Sequence, residues 1–479
     1  MRQKLMDRVY LYDGSKGFLL MQAGLKSGEC PDLWNLERKD TVYSIHRAYV
    51  DAGSDIIQTN TLQASRPHLE IRGLYEQLPQ INQEGVRLAR KAASGKALVA
   101  ASIGPTGYLM KPFGPLTVSE AEDIFMEQIR AILEAEPDIL HFETFISLAE
   151  LRAAVLAAKA LTDIPLIATL AFEKNARTVM GDEMNACITV LDALGVDCAG
   201  ANCSLSPGDM LEIFAGLPDN RLKGQLPLCS KPNAGIPTVL NGAAYYGATV
   251  QEYCDTIEGF VRSGVRLVGG CCGSTPEHIA AMRLVVDDWN RKEKSGGITG
   301  ADPCGTTLSD TQRRPQAVSL CLANAHAVFD LASDEMDDLR PDIVIPIHPH
   351  NPSDSPNKLE TTSAEEIDEL AVALLSEAAD SESAYSLIQL PNTENTDTAK
   401  LIKAIAENAA AQIRKPVVFS LEGKTSVGLP SASVLEHALR NYCGTAGVLF
   451  PKTHPLDSRQ KENLMQIMRK YGAREKASG

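Results

Sequence analysis

Three cysteines stand where apolar runs of the chain stop. Cys203 ends the run that begins at Val196 (VDCAGANC), and the pair Cys271-Cys272 ends the run that begins at Val265 (VRLVGGCC). Three thiolates suit a tetrahedral zinc ion and leave its fourth position for a substrate. A thiol entering that position gives up its proton because the metal stabilises the thiolate. A free thiol titrates near ~8.5 and is mostly protonated at neutral pH. A ligated thiolate, ionised and held in place, meets the two requirements for attack on a methyl group. Gly269, Gly270 and Gly273 surround the pair and let the backbone turn both side chains toward one ion. Two other readings stay open on these residues: cysteines packed as small hydrophobes, the reading preferred for Cys30, Cys187, Cys254 and Cys321, and a disulfide between Cys271 and Cys272.

Other polar residues collect at the same kind of position. Asp13, Gln58-Thr59-Asn60, Ser102, Glu143-Thr144, Asn202 and Asn233 all lie at or just past the ends of apolar runs. The carboxylates of Asp13 and Glu143 suit the ammonium group of an amino-acid thiol. Backbone N–H groups of the turn that follows Asp13, at Gly14 and Ser15, suit its carboxylate.

These positions imply the elements that must carry them. Eight strand-like runs begin near Val9, Asp55, Ala97, Asp138, Pro165, Val196, Leu226 and Val265. Each is too apolar for a one-faced antiparallel strand and is followed by helical signals, which is the pattern of a parallel α/β sheet. One such helix is expected over Val118 to Glu136. Another is expected after the capping-box spacing Ser274-Thr275-Pro276-Glu277, with Ile279, Met282, Val286 and Trp289 on its apolar side. Eight β-α repeats in this length predict a (β/α)₈ TIM barrel over residues 1–292, with catalytic groups at the carboxyl ends of the strands. A doubly wound sheet is disfavoured, because Asp13-Gly14-Ser15-Lys16-Gly17 does not fit G-x-G-x-x-G. Residues 293–316, rich in Gly, Ser, Thr, Asp and Pro, read as a linker. Residues 317–479 alternate again, with strands in AVSLCL, DIVIPI, YSLIQL, PVVFSL and AGVLF and helices over Ala364–Ala379 and Thr398–Ile413. They predict a smaller three-layer α/β domain of about five strands.

Composition narrows the function. The 479 residues carry 46 Lys and Arg against 61 Asp and Glu, a net charge of −15. An acidic chain without a basic stripe repels phosphate backbones, so no nucleic-acid partner is expected. No run approaches the ~20 apolar residues of a membrane span, and Met1 to Asp13 lacks a signal-peptide core. The 11 cysteines are odd in number and scattered, unlike a secreted disulfide framework, so a cytoplasmic protein with reduced thiols is expected.

The segments DGSKG, HRAYVDAGSDIIQTNT, SIGPTG, FETF, GANCSLSP, PNAG and GGCCGSTPEHI follow one another over residues 5 to 290. In this order they resemble the homocysteine S-methyltransferase family, and most of all the homocysteine-binding barrel of cobalamin-dependent methionine synthases. The resemblance implies a (β/α)₈ barrel, Cys203, Cys271 and Cys272 as zinc ligands, and homocysteine as methyl acceptor. It also implies Asp13 and Glu143 near the acceptor's amino group, and Asn202 and Asn233 as residues that shape the site. Two positions depart from the family pattern. Lys16 stands in the turn after Asp13, where it either points to solvent or contacts an acidic group of substrate or donor. Gln58 replaces a common glutamate and removes a negative charge from the barrel mouth.

The resemblance implies a donor as well. Methionine synthases of this kind carry a folate barrel and a cobalamin module after the first barrel, and residues 317–479 are too few for both. They also lack D-x-H-x-x-G: His326 lies in NAHAVF, and His348 and His350 lie in IPIHPHNP, which reads as an ordinary loop. A methylcorrinoid such as methylcobalamin, carried by a separate corrinoid protein, is therefore the expected donor. The C-terminal domain is expected to be a docking or gating platform, with the acidic stretch Glu360–Glu382 as a candidate contact. The alternatives are a sulfonium donor (S-methylmethionine or S-adenosylmethionine), a demethylase component passing methyl groups to a corrinoid, and a non-catalytic zinc-stabilised binding protein.

Overall fold

Continuous apolar runs of β-branched residues hide both faces of a strand, and in this chain they become parallel strands covered by helices. The computed structural model describes residues 2–218, 226–235, 238–240 and 243–295, and then 320–324, 328–331, 343–344, 371, 375, 386–390, 396–412, 417–421, 432–450 and 458–475. Residues 296–316 of the expected linker, the three histidines of the second part, and nearly all of Glu360–Glu382 and Ala364–Ala379 lie outside the described residues, while Glu293 and Lys294 belong to the preceding helix rather than to a linker. By its contacts the chain divides into two compact units. One comprises Met1–Leu109, Leu116–Met184 and Val196–Ser309; the other comprises Met110–Pro115, Asn185–Gly195 and Asp310–Gly479. Among the described residues no helix is long and apolar enough to cross a membrane.

All eight expected barrel strands form: β1 (Tyr10–Leu11), β2 (Ile56–Gln58), β3 (Leu98–Ile103), β4 (Ile139–Phe145), β5 (Leu166–Leu170), β6 (Cys198–Asn202), β7 (Leu228–Lys231) and β8 (Val265–Val268). They pair in parallel in the order β1-β8-β7-β6-β5-β4-β3-β2. A parallel bridge between Tyr12 and Ile56 joins the two ends, so the sheet closes into a (β/α)₈ barrel. Its interior takes a buried residue from every strand, including Tyr10, Ile56, Ala100, Ile139, Ile167, Cys198, Cys229 and Leu267. Small residues from β3, β6 and β7 leave room for Tyr12 and for Leu5, which packs into the same cluster. Cys198 and Cys229 therefore behave as small core residues. Cys30 and Cys187 are likewise buried, and Cys254 is half-buried.

Two local expectations change. The helix after β8 spans Pro276–Lys294 with Thr275 rather than Ser274 as its N-cap, and the Thr275 N–H donates to His278 Nδ1 at 3.2 Å. On its inner face Ile279, Met282 and Val286 are buried as expected, but the fourth buried residue is Asn290, not Trp289. Asn290 accepts from the Val9 N–H at 2.8 Å and donates to the Val9 carbonyl at 2.9 Å, taking the place of a strand partner just before β1.

In the second unit a five-stranded parallel sheet runs Ile343–Val344, Ser386–Gln389, Val417–Ser420, Gly447–Leu449, Arg474–Glu475. Four of these are expected runs, and the fifth place is taken by Arg474–Glu475. The AVSLCL run instead contributes Leu320–Asn324 to an antiparallel sheet with Val328–Leu331 and Gly444–Thr445. A connection as short as residues 325–327 cannot make a parallel crossover, so the two strands turn back on each other.

Candidate active site

The sequence-selected residues meet at the carboxyl end of the barrel. Asp13 follows β1, Gln58 ends β2, Ser102 lies on β3, Glu143 and Thr144 on β4, and Asn202 ends β6 with Cys203 next. Cys271 and Cys272 follow β8. Their side chains surround a cavity of about 270 Å³ lined by Lys16, Glu143 and Lys231 together with Cys203, Cys271 and Cys272. Gly14, Ser15 and Thr144 also line it. Asn202 and Asn233 support it from behind. Asp13 is fully buried beneath Lys16.

The three sulfurs lie within 4.8 Å of one another, and Cys203 Sγ is 3.8 Å from Cys272 Sγ. Zn–S bonds of ~2.3 Å in tetrahedral geometry separate sulfurs by about 3.8 Å, so this donor set fits a zinc ion. The loop after β7 brings the cysteine-bearing segments together. Cys271 N–H donates to the Pro232 carbonyl at 2.7 Å, Ala234 N–H to the Cys272 carbonyl at 2.8 Å, and Asn233 N–H to the Leu205 carbonyl at 2.8 Å. Asn233 Oδ1 accepts from the Cys272 N–H at 3.1 Å. Cys203 and Thr144 sit in the left-handed region, with φ of 64° and 65°. That conformation is costly for residues with a side chain and is held by these contacts. Gly269 is needed for space rather than freedom: a Cβ there would stand 2.5 Å from Tyr12 Cβ. Bonds within the thiol cluster pull Cys203 down from its ordinary pKa and push Cys271 and Cys272 up. One negative charge is thus easy to hold among the three sulfurs, and three need a cation.

A buried polar chain runs from this cluster to the opposite wall. Asn202 Nδ2 reaches Cys271 Sγ at 3.8 Å and donates to Thr144 Oγ1 at 2.7 Å. Asn202 Oδ1 accepts from Thr169 Oγ1 at 2.7 Å and from the Thr144 N–H at 2.8 Å. Thr169 meets His141 Nε2 at 3.1 Å, and His141 Nδ1 meets Gln58 Nε2 at 3.0 Å. Burial pushes His141 down to about 3, so it is neutral. At the end of the chain Lys231 Nζ donates to Gln58 Oε1.

Lys231 is the residue that sequence reasoning missed. It ends β7, is almost fully buried, lies 3.7 Å from Asp13 Oδ1, and stands over the Tyr12 ring at 4.7 Å. Burial acts to lower its pKa, but Glu143 and Asp13 prevail and hold it above the ordinary lysine value. Glu143 shows the converse. Burial opposes its charge, but Lys231 first, then Lys16 and a hydrogen bond from Ser102 hold its carboxyl down at about 2. Tyr246 was also missed; it is half-buried on the cavity wall, and burial together with Cys272 pushes its phenol up to about 12. A lone lysine closing the run LPLCSK was the one available signal for the first of these.

The homocysteine S-methyltransferase family profile matches residues 10–286. The chain belongs to the homocysteine S-methyltransferase family. The match to this family covers the barrel strands and every residue of the cavity described above. Methionine synthase of Mycobacterium tuberculosis is 31% identical over 308 residues, 60% of this chain and 26% of that protein. Methionine synthase of Mycobacterium leprae is 30% identical over 302 residues, 59% of this chain and 25% of that protein. The chain thus spans about a quarter of the length of the curated relatives it matches. A crystal structure of homocysteine methyltransferase from Escherichia coli in metallated form superposes with a TM-score of 0.49 at 23% identity, covering 58% of this chain and 96% of that one.

Proposed function

We propose that the chain is a zinc-dependent thiol S-methyltransferase that converts homocysteine to methionine, with a methylcorrinoid on a separate protein as donor. The observation that carries the reading is the convergence of Cys203, Cys271 and Cys272 on the wall of one cavity that also presents an ionised Glu143. Zinc held by these three sulfurs supplies an open position in which a thiol is ionised at neutral pH. The chain's own residues do the rest. Asn202 and the loop around Asn233 hold the cysteines in register. Lys231 keeps Glu143 ionised so that it receives the acceptor's ammonium group. In the transfer the acceptor thiol loses its proton, its sulfur takes the methyl group, and the donor keeps the bonding pair of the bond that breaks.

The zinc-loaded chain with homocysteine and methylcobalamin, free or protein-bound, is expected to form methionine. Absence of turnover with every methylcorrinoid overturns the corrinoid assignment. Turnover with S-methylmethionine or S-adenosylmethionine in its place would move the reading to a sulfonium donor.

A further inference from the structure

Two lysines stand on the cavity wall, and they are not equivalent. Lys231 spends its ammonium inward, on Gln58 Oε1, Asp13 Oδ1 and the face of Tyr12. Lys16 lines the cavity with its side chain 12% exposed, and its partner among the described residues is Asp13 Oδ2 at 3.2 Å. That same oxygen accepts from the Gln58 N–H at 2.8 Å, so one buried carboxylate is shared between a backbone donor and two ammonium groups. Asp13 therefore anchors Lys16 without absorbing its whole charge, because Lys231 already draws on the same carboxylate. An ammonium carries three donors, and the anchor occupies one. Glu143 stands on the same cavity wall, ionised and bonded to Ser102. The cavity thus presents a cation, an anion and a thiol cluster to whatever enters it.

We propose that Lys16 determines specificity for the acceptor's acidic group: anchored on Asp13, it receives the carboxylate of an amino-acid thiol. Glu143 receives the ammonium, and the cysteine cluster receives the sulfur. The inference rests on the thiol-methyltransferase reading and deepens it by naming the residue that recognises the acceptor's carboxylate. Lys231 is a positioning residue in this arrangement, since it takes up part of the Asp13 charge and leaves Lys16 electropositive toward the cavity.

The test deletes one functional group at a time and reads binding by calorimetry on the zinc-loaded full-length chain. The ligands are homocysteine, 4-mercaptobutanoate, which lacks the amine, and 3-aminopropane-1-thiol, which lacks the carboxylate. The unaltered chain is expected to bind 3-aminopropane-1-thiol roughly ten- to a hundredfold more weakly than homocysteine, the range of a charge-assisted hydrogen bond. Lys16→Met should weaken homocysteine and 4-mercaptobutanoate by a similar factor and leave 3-aminopropane-1-thiol within about twofold, with Lys16→Arg recovering part of the loss. Equal loss for all three thiols, or no loss for any, overturns the proposal. An unaltered chain that binds homocysteine and 3-aminopropane-1-thiol equally overturns it too, and this comparison needs no variant. Failure of every thiol to bind the zinc-loaded chain would instead bring down the thiol-methyltransferase reading itself, and this proposal with it.

Discussion

At Glu143 burial and charge pull in opposite directions, and charge prevails. Its carboxyl is held at about 2, below the ordinary 4.5. A depressed folded-state pKa contributes stability that is fully present above the unfolded value and is lost as pH falls through the folded one. The contribution of Glu143 is therefore expected to disappear between about pH 4.5 and pH 2. Glu143→Gln should flatten the decline in unfolding free energy over that window, read by urea titrations at several pH values; parallel declines in the two proteins would contradict the assignment. The cysteines of the site were legible because thiols are uncommon, end apolar runs, and in one case form a glycine-flanked pair. Lys231 was not legible. Its meaning comes from Asp13, Gln58 and Glu143, which other strands supply, and nothing in the run LPLCSK shows that its last side chain turns inward. His141 and Thr169 were hidden for the same reason, since each sits inside a run that reads as plain strand.

Just before strand β1 the backbone is clamped by a side chain. Strand β1 is only two residues long, and Asn290 supplies both hydrogen bonds to the backbone of Val9 just before it. Asn290→Leu would leave a buried N–H and a buried carbonyl unpaired, at a cost of about 1–3 kcal/mol for each group. A thermal midpoint unchanged by this substitution would show that the clamp carries no weight. On the far side of the barrel, a Cβ at Gly200 of β6 would lie 2.0 Å from the Cys229 carbonyl oxygen of β7. Gly200→Ala should therefore part the two strands and destabilise the chain by about 3 kcal/mol or more, measured by denaturant unfolding; a loss below about 1 kcal/mol would mean that β7 moves freely aside. All eight barrel strands were readable, because strands buried on both faces announce themselves as continuous apolar runs. Asn290 was not, because a polar residue beside an apolar tryptophan gives no sign that it, rather than Trp289, faces the core. The antiparallel pairing of Leu320–Asn324 escaped notice because its partner Val328–Leu331 is short and follows after only a few residues.

Taken as a whole, the barrel holds its core apart from its thiol cluster. The buried interior cluster draws a residue from each strand and includes none of Cys203, Cys271 and Cys272. On the zinc reading, stripping the metal with a chelator should therefore leave the far-UV circular dichroism of the chain intact while abolishing thiol binding, and Cys272→Ala should do the same. Unfolding on chelation would make the metal a structural support, as in small zinc domains. The ring itself joins the two ends of the barrel segment. Tyr10 pairs with Leu267, the Tyr12 N–H donates to the Val268 carbonyl at 2.7 Å, and the Gly270 N–H to the Asp13 carbonyl at 3.1 Å. Strand β1 is made well before β8 and must wait for it to find this partner, and contacts of such long sequence separation are slow to form. A chain that ends before β8 has Cys203 but lacks Cys271 and Cys272, the other two members of the cluster. On the zinc reading proposed above, the full set of three thiol donors exists only once β8 has joined the ring, because Cys271 and Cys272 follow it.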